Sequence, residues 1–420
     1  MLKTSTAFVL LASLVSAAPT ALDKPLTVPL SRDVAKPAAS PEEQAFRSDV
    51  HLLSKWPQLL YPEARSKIRS KLRSKTQGDA VTEDLNNFYD VTYTADFQFG
   101  TPPQSFPVIV DTGSPQFWLY SEKCVGCGKG HVDTTKSSTF HSTGRNLTIS
   151  YGEGDTSVSG TWGNDRIGFG GIFTDNATVG IMDESVKMNL QDISAGISGW
   201  SWPLTRNGTT LEPLPWVQAT KGQWKNKEFG MYLNRQGFGA QLQHVNSTRP
   251  TGALTVNGVD RQFFDGELEY FPRKVLDERT HFAWGIDLDG VTVDGKFFDT
   301  KGNGAVLDSG TTLIYGPKDV VTEIYKQIPN AIDTGDGMFI LPDCTTNHTV
   351  SFRFGGKEFP IFSPDFGSVS LFGCQGAITY AEKLDFKNNW LIGDAFLKSY
   401  YTAYSYDPPQ VGFAKVKPNL

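Results

Sequence analysis

Two short segments of this chain are near-copies of one another: Asp111-Thr112-Gly113-Ser114 and Asp308-Ser309-Gly310-Thr311. Each follows a compact apolar run, Val108-Ile109-Val110 before the first and Ala305-Val306-Leu307 before the second. Such runs predict buried strands. An aspartate at the mouth of a buried strand, followed by hydroxyl, glycine and hydroxyl, predicts a turn that presents a carboxylate into a polar nest. One copy would carry little information, because Asp-Ser-Gly is ordinary turn chemistry. Two copies, 308 − 111 = 197 residues apart, predict duplicated lobes that each supply one carboxylate to a shared site.

Two carboxylates within hydrogen-bonding distance do not both ionise easily. The first proton leaves readily and the second is retained, so the pair carries one proton over a broad acidic range. The ionised member can take a proton from water while the protonated member polarises a carbonyl, which is general base and general acid catalysis in one site without a covalent intermediate. Gly113 and Gly310 let backbone approach closely. The hydroxyls of Thr112 and Ser309 can buttress the opposite loop, and those of Ser114 and Thr311 can donate to the outer carboxylate oxygens.

With these residues in place the chain resembles the pepsin-like aspartic peptidases. The first motif continues to Trp118, as the family's does. Tyr151-Gly152-Glu153-Gly154 resembles the tip of the family's flap hairpin, and Gly252 to Asp260 the strand and turn that lead into its second lobe. Trp390-Leu391-Ile392-Gly393-Asp394-Ala395-Phe396-Leu397 resembles the apolar-Gly segment of that lobe. The likeness runs from about Asn87 to Ala414. It implies an all-β, bilobal pepsin-like fold: two β-barrel-like lobes, a cleft between them and a few short helices. It implies Asp111 and Asp308 as the catalytic pair, and the sharing of one proton comes with the family. No cofactor and no metal are expected, and a metallo-hydrolase would need a His-Glu spacing that is missing here.

Charge divides the chain. Residues 19–79 hold 11 basic and 7 acidic residues, and residues 80–420 hold 27 and 38. A basic leader before an acidic body resembles a zymogen, whose prosegment acts as an intramolecular inhibitor through Lys or Arg paired with the carboxylates. A solvated basic linker is the plainer alternative. Before it, Lys3, the apolar run Ala7 to Val15 and the small residues Ser16-Ala17-Ala18 read as a signal peptide over 1–18. The expected domains are therefore 1–18 signal, 19–79 prosegment, 80–255 N-terminal lobe with flap and 256–420 C-terminal lobe. The maturation cut is expected between Lys75 and Asn87. The expected product is a monomer without a membrane anchor, secreted or delivered to an acidic vacuolar or lysosome-like compartment. A net charge of −6 argues against nucleic-acid binding.

Four cysteines suit an oxidising compartment. Cys344 and Cys374 lie where the family has a disulfide, a closure worth about 3–4 kcal/mol in the chain-entropy model. Cys124-Val125-Gly126-Cys127 lies where the family places a small disulfide loop, here shortened. A redox or metal half-site, with His131 nearby, is the alternative. N-glycosylation sequons begin at Asn146, Asn176, Asn207, Asn246 and Asn347.

From Phe88 onward short apolar or alternating runs are broken by Gly, Asn and Asp, a β pattern. Leu147 to Ser159 reads as a hairpin with glycines at its tip. A helix is expected over Asp319 to Ile328. No low-complexity linker marks the lobe junction, expected between Thr251 and Gly266, which fits lobes sharing one continuous sheet.

The resemblance assigns Tyr151, with Gly152, to close over an extended peptide, and Trp118 to hold Tyr151 by a ring N–H to phenol oxygen bond; an ordinary strand aromatic and plain core packing are the alternatives. Glu153 and Asp155 would turn preference toward basic side chains, or are solvated turn charges. Three departures stand out: Ser309 where the family often has Thr, Pro115 stiffening the first turn, and Ala195 where Asp is common before Gly196-Ile197-Ser198-Gly199, with Ile197 expected beside the cut. The reading is an aspartic endopeptidase acting on polypeptides. Its rival is an inactive relative that keeps the peptide groove.

Overall fold

The structure, a computed structural model, describes residues 80–417 apart from 89, 153–155, 189, 191–192, 207, 236–250, 301–302, 345–346, 371–372 and 381–388. The signal and prosegment readings, the flap carboxylates Glu153 and Asp155, and the sequons at Asn207 and Asn246 lie outside the described residues.

The expected duplication appears as the same three-strand arrangement built twice. In the first half, the strand Gly196–Gly199 lies between Gln104–Asp111, to which it is parallel, and Phe117–Tyr120, to which it is antiparallel. In the second half, Trp390–Ile392 lies in the same way between Gly304–Leu307 and Ile314–Tyr315. The registers correspond: Ile109, Ile197 and Trp118 stand in one row, and Val306, Leu391 and Tyr315 in the other. Each Asp motif follows the strand that runs parallel to the inserted one. Strands covered on both faces need apolar residues at every position, and Val108, Ile109, Val110, Ala305 and Leu307 are all fully buried.

The first lobe is an eight-stranded sheet, and the second combines a five-stranded and two four-stranded sheets. A six-stranded sheet joins them, in the order Val81–Asp84, Gly252–Val256, Glu228–Leu233, Tyr400–Tyr406, Pro409–Val416, Phe264–Pro272. Its strands come from both halves, as the missing linker predicts. Behind the site this sheet packs Phe229, Tyr404 and Tyr406 against Trp200 and Trp284, with Phe229 stacked on Tyr404 at 4.8 Å between centroids.

The helix of the second lobe spans Lys318–Tyr325, shorter than expected at its end. Beyond Tyr325 the amides of Gln327 and Ile328 bond three residues back, to Ile324 and Tyr325, so the winding tightens into turns. Ile328 is still buried, which is why its spacing reads as helical. The sequon asparagines Asn146, Asn176 and Asn347 are exposed.

A buried ionic cluster ties the joining sheet to the second lobe. Arg235 donates from Nε and Nη2 to Asp365 Oδ2 at 2.8 and 2.5 Å, and Lys398 Nζ stands 3.3 Å from Asp365 Oδ1. Removing the shared carboxylate leaves two cations buried without it. Asp365→Ala is expected to cost about 3–5 kcal/mol, read as a lower midpoint in urea unfolding; an unchanged midpoint would show that the cluster does not support the fold.

Candidate active site

Asp111 and Asp308 are buried, at 2% and 4% exposure, and each carboxyl lies against the glycine of the opposite turn, Asp308 against Gly113 and Asp111 against Gly310. The two turns are built alike. Gly113 N–H donates to Asp111 Oδ1 at 2.8 Å, and Gly310 N–H to Asp308 Oδ1 at 2.8 Å. Ser114 Oγ donates to Asp111 Oδ2 at 2.5 Å, and Thr311 Oγ1 to Asp308 Oδ2 at 2.6 Å. Each carboxylate is thus fixed in its own loop by a backbone amide and a hydroxyl.

The loops are also fixed to each other. Thr112 N–H donates to Ser309 Oγ at 3.1 Å, and Ser309 N–H to Thr112 Oγ1 at 2.9 Å. Thr112 Oγ1 in turn donates to Leu307 O, and Ser309 Oγ to Val110 O. Serine in place of threonine keeps every one of these bonds. Ser309→Ala removes the hydroxyl and leaves Thr112 N–H buried without it, a loss of about 2 kcal/mol. A thermal melt showing no change would contradict this account of the loop contact.

Tyr151 ends the long strand His141–Tyr151 and pairs with Thr156 across the hairpin; Gly152 has φ +59° at its turn. Trp118 Nε1–H donates to Tyr151 OH at 2.6 Å. Both rings lie in an apolar cluster with Ile109, Ile149, Met188 and Ile197. Ile197 is fully buried in its strand row. The CxxC cysteines are bonded to each other, as are Cys344 and Cys374. His131 Nε2 lies 2.5 Å from the carbonyl oxygen of Cys127 and not against sulfur.

The model of the eukaryotic aspartyl protease family matches residues 92–416. This chain belongs to the eukaryotic aspartyl proteases. It is 28% identical to an aspartic protease of Phaffia rhodozyma over 97% of each chain. It is 29% identical to rat cathepsin D over 84% of this chain and 87% of that one. It is 30% identical to aspartic protease 1 of Caenorhabditis elegans over 78% and 83%. The protein is an enzyme, an aspartic-type endopeptidase of the pepsin-like kind.

Burial pushes both carboxyls of this aspartyl protease above their ordinary range. Asp111 is raised further by the charge of Asp308, whereas the bonds from Thr311 and the Gly310 amide pull Asp308 back. The two titrate as one unit. Burial also pushes the Tyr151 phenol well above its ordinary value of 10.

Sequence reasoning left Asp394 without a role. It is fully buried, neither carboxyl oxygen has a hydrogen-bond partner, and burial raises it well above 3.8, with Lys398 opposing and Asp308 reinforcing. The signal was a carboxylate set in the apolar run Trp390 to Leu397. For these three raised carboxyls the folded chain holds protons that the unfolded chain releases. Their contribution to stability is full below 3.8 and is lost as pH rises through the folded values. The melting temperature of the protease is expected to fall as pH rises above 3.8 through the raised folded values. Asp394→Asn removes one such proton and should flatten the fall; an equally steep fall in the variant would show that Asp394 does not titrate in this range.

Proposed function

We propose that this protease hydrolyses peptide bonds by activating water between Asp111 and Asp308, at acidic pH. The reading rests on one observation above all: two buried carboxyls from opposite halves each lie against the other's turn, and reciprocal bonds between Thr112 and Ser309 hold the turns together. Water seated on the pair loses a proton to the ionised carboxylate as it attacks the carbonyl. The protonated carboxyl donates to the developing oxyanion, and the gem-diol collapses when the nitrogen is protonated. Tyr151, its oxygen already accepting from Trp118, closes over the extended peptide and excludes water. Thr112 and Ser309 keep the loops in register; Ile197 supports the wall beside the cut.

The wider setting follows the same reading: a secreted or lysosome-like destination after removal of 1–18, inhibition by the segment 19–79, action as a monomer, and N-glycans on the exposed sequon asparagines. Among the described residues no helix is long and apolar enough to cross a membrane. Acid protonates the dyad, weakens its pairing with prosegment cations and releases that segment.

The deciding experiment incubates the protein across the acidic pH range with a denatured protein substrate, with and without a statine-type inhibitor. Inhibitor-sensitive cleavage is expected. Binding of peptide or inhibitor without turnover would overturn the reading. Trp118→Phe removes the donor to Tyr151 while keeping an aromatic ring, and should raise KM about tenfold with a smaller effect on kcat; steady-state kinetics with an unchanged KM would return Trp118 to plain packing.

A further inference from the structure

The Cys124–Cys127 bridge is a motif that the hydrolytic chemistry leaves without a role. We propose that it is a reducible clasp on the seat of the Tyr151 hairpin, so that a dithiol in the protein's surroundings reversibly weakens substrate binding. The proposal rests on the reading of Tyr151 as the residue that closes over substrate.

Both sulfurs belong to the apolar cluster that holds Tyr120, Trp118, Tyr151 and Ile197. The chain leaves the bridge through Gly128 at φ +58°, where a Cβ would stand 2.3 Å from Tyr120 Cδ2 and 2.8 Å from Ser194 O. Tyr120 meets Trp118 edge-on at 5.0 Å between centroids, and Trp118 holds Tyr151. On the other side Lys129 N–H donates to Ser194 O at 2.7 Å. Ser194 Oγ accepts from Ile109 N–H and donates to Gly196 O, next to Ile197. The bridge therefore abuts both the seat of the flap and the strand beside Asp111.

The bridge turn faces solvent at Val125, which is 91% exposed, and Cys127 is less covered than Cys124, 8% against 2%. Cys127 Sγ is the atom a reductant thiolate reaches first. Its attack forms a mixed disulfide and expels Cys124 as a thiolate, which takes up a proton. The second thiol of the reductant then closes on the first, leaving the reductant as a cyclic disulfide and Cys127 as a thiol. Two electrons and two protons pass from the dithiol to the bridge. Two thiols need more room than two bonded sulfurs, and both cysteines are packed in one buried cluster with Tyr120 and Trp118, so the Tyr120–Trp118 pair gives way. The cysteines are 3 residues apart, against 30 for Cys344–Cys374. So short a ring restrains the unfolded chain little, and its opening leaves the fold in place.

The test treats the whole protein with graded dithiothreitol near neutrality, with a mock incubation as reference, and quenches into acid, where thiolates vanish and exchange stops. Alkylation and mass spectrometry score each bridge, and a quenched peptide gives KM and kcat. Turnover by the oxidised protein, measured first, establishes the peptidase reading on which the clasp depends. KM is expected to rise about tenfold in step with opening of Cys124–Cys127, with little change in kcat and recovery on reoxidation. A Cys124→Ser, Cys127→Ser variant should show the raised KM and no response to dithiol; if it does not fold, the wild-type titration decides alone, because each bridge is scored separately. An unchanged KM with this bridge fully open, or a loss that follows Cys344–Cys374 instead, overturns the clasp.

Discussion

Asp308→Asn is expected to lower kcat by about 10³-fold or more while leaving the fold intact. The amide has the shape of the carboxyl: its oxygen still accepts from Gly310 N–H, and its NH2 takes the place of the oxygen beside Thr311, whose hydroxyl turns to accept. What it cannot do is exchange a proton with water or share one with Asp111. Asp111→Asn should do the same, and the double variant should lose little more than either single one, because the two groups act as a unit. Burst-free steady-state kinetics on a quenched peptide, with circular dichroism to confirm folding, measure this. Activity within tenfold of wild type in either variant would remove the pair from the chemistry.

Gly113→Ala and Gly310→Ala are expected to be nearly as damaging for a purely steric reason. A Cβ on Gly113 would lie 2.4 Å from Asp308 Cγ, and one on Gly310 would lie 2.4 Å from Asp111 Oδ1. Neither glycine has a positive φ, so alanine suits the backbone and fails only against the opposite carboxylate. Each substitution forces the dyad apart at a cost of about 1–3 kcal/mol in stability. A displacement near 1 Å costs about 10²-fold in rate. Thermal melts and kcat/KM report both losses. A stable, fully active Gly113→Ala would mean that the carboxyls do not stand as close as described.

The dyad was legible because its chemistry is local: four residues specify each turn, and an apolar run places each turn at a strand end. The duplication followed from the recurrence of the two motifs, but the three-strand frame that carries it did not. Nor did the row equivalence of Ile109, Ile197 and Trp118 with Val306, Leu391 and Tyr315, because it depends on register between strands distant in sequence. The Arg235–Asp365–Lys398 cluster was invisible for the same reason, since Arg235 and Asp365 are 130 residues apart and nothing near either predicts its partner. Asp394 was half legible: a carboxylate in an apolar run signals burial, but its place behind the pair needs the fold. The helix over Lys318–Tyr325 was overextended because buried turn residues such as Ile328 mimic helical spacing.

The central claim is that acids from opposite halves share a single proton during catalysis. The dependence of kcat/KM on pH for one quenched peptide tests it most directly. The account predicts an acidic bell whose two limbs belong to the pair, with activity gone by neutrality and neither limb surviving in Asp308→Asn. A profile that stays flat up to neutral pH, or an acidic limb that persists in that variant, would contradict it.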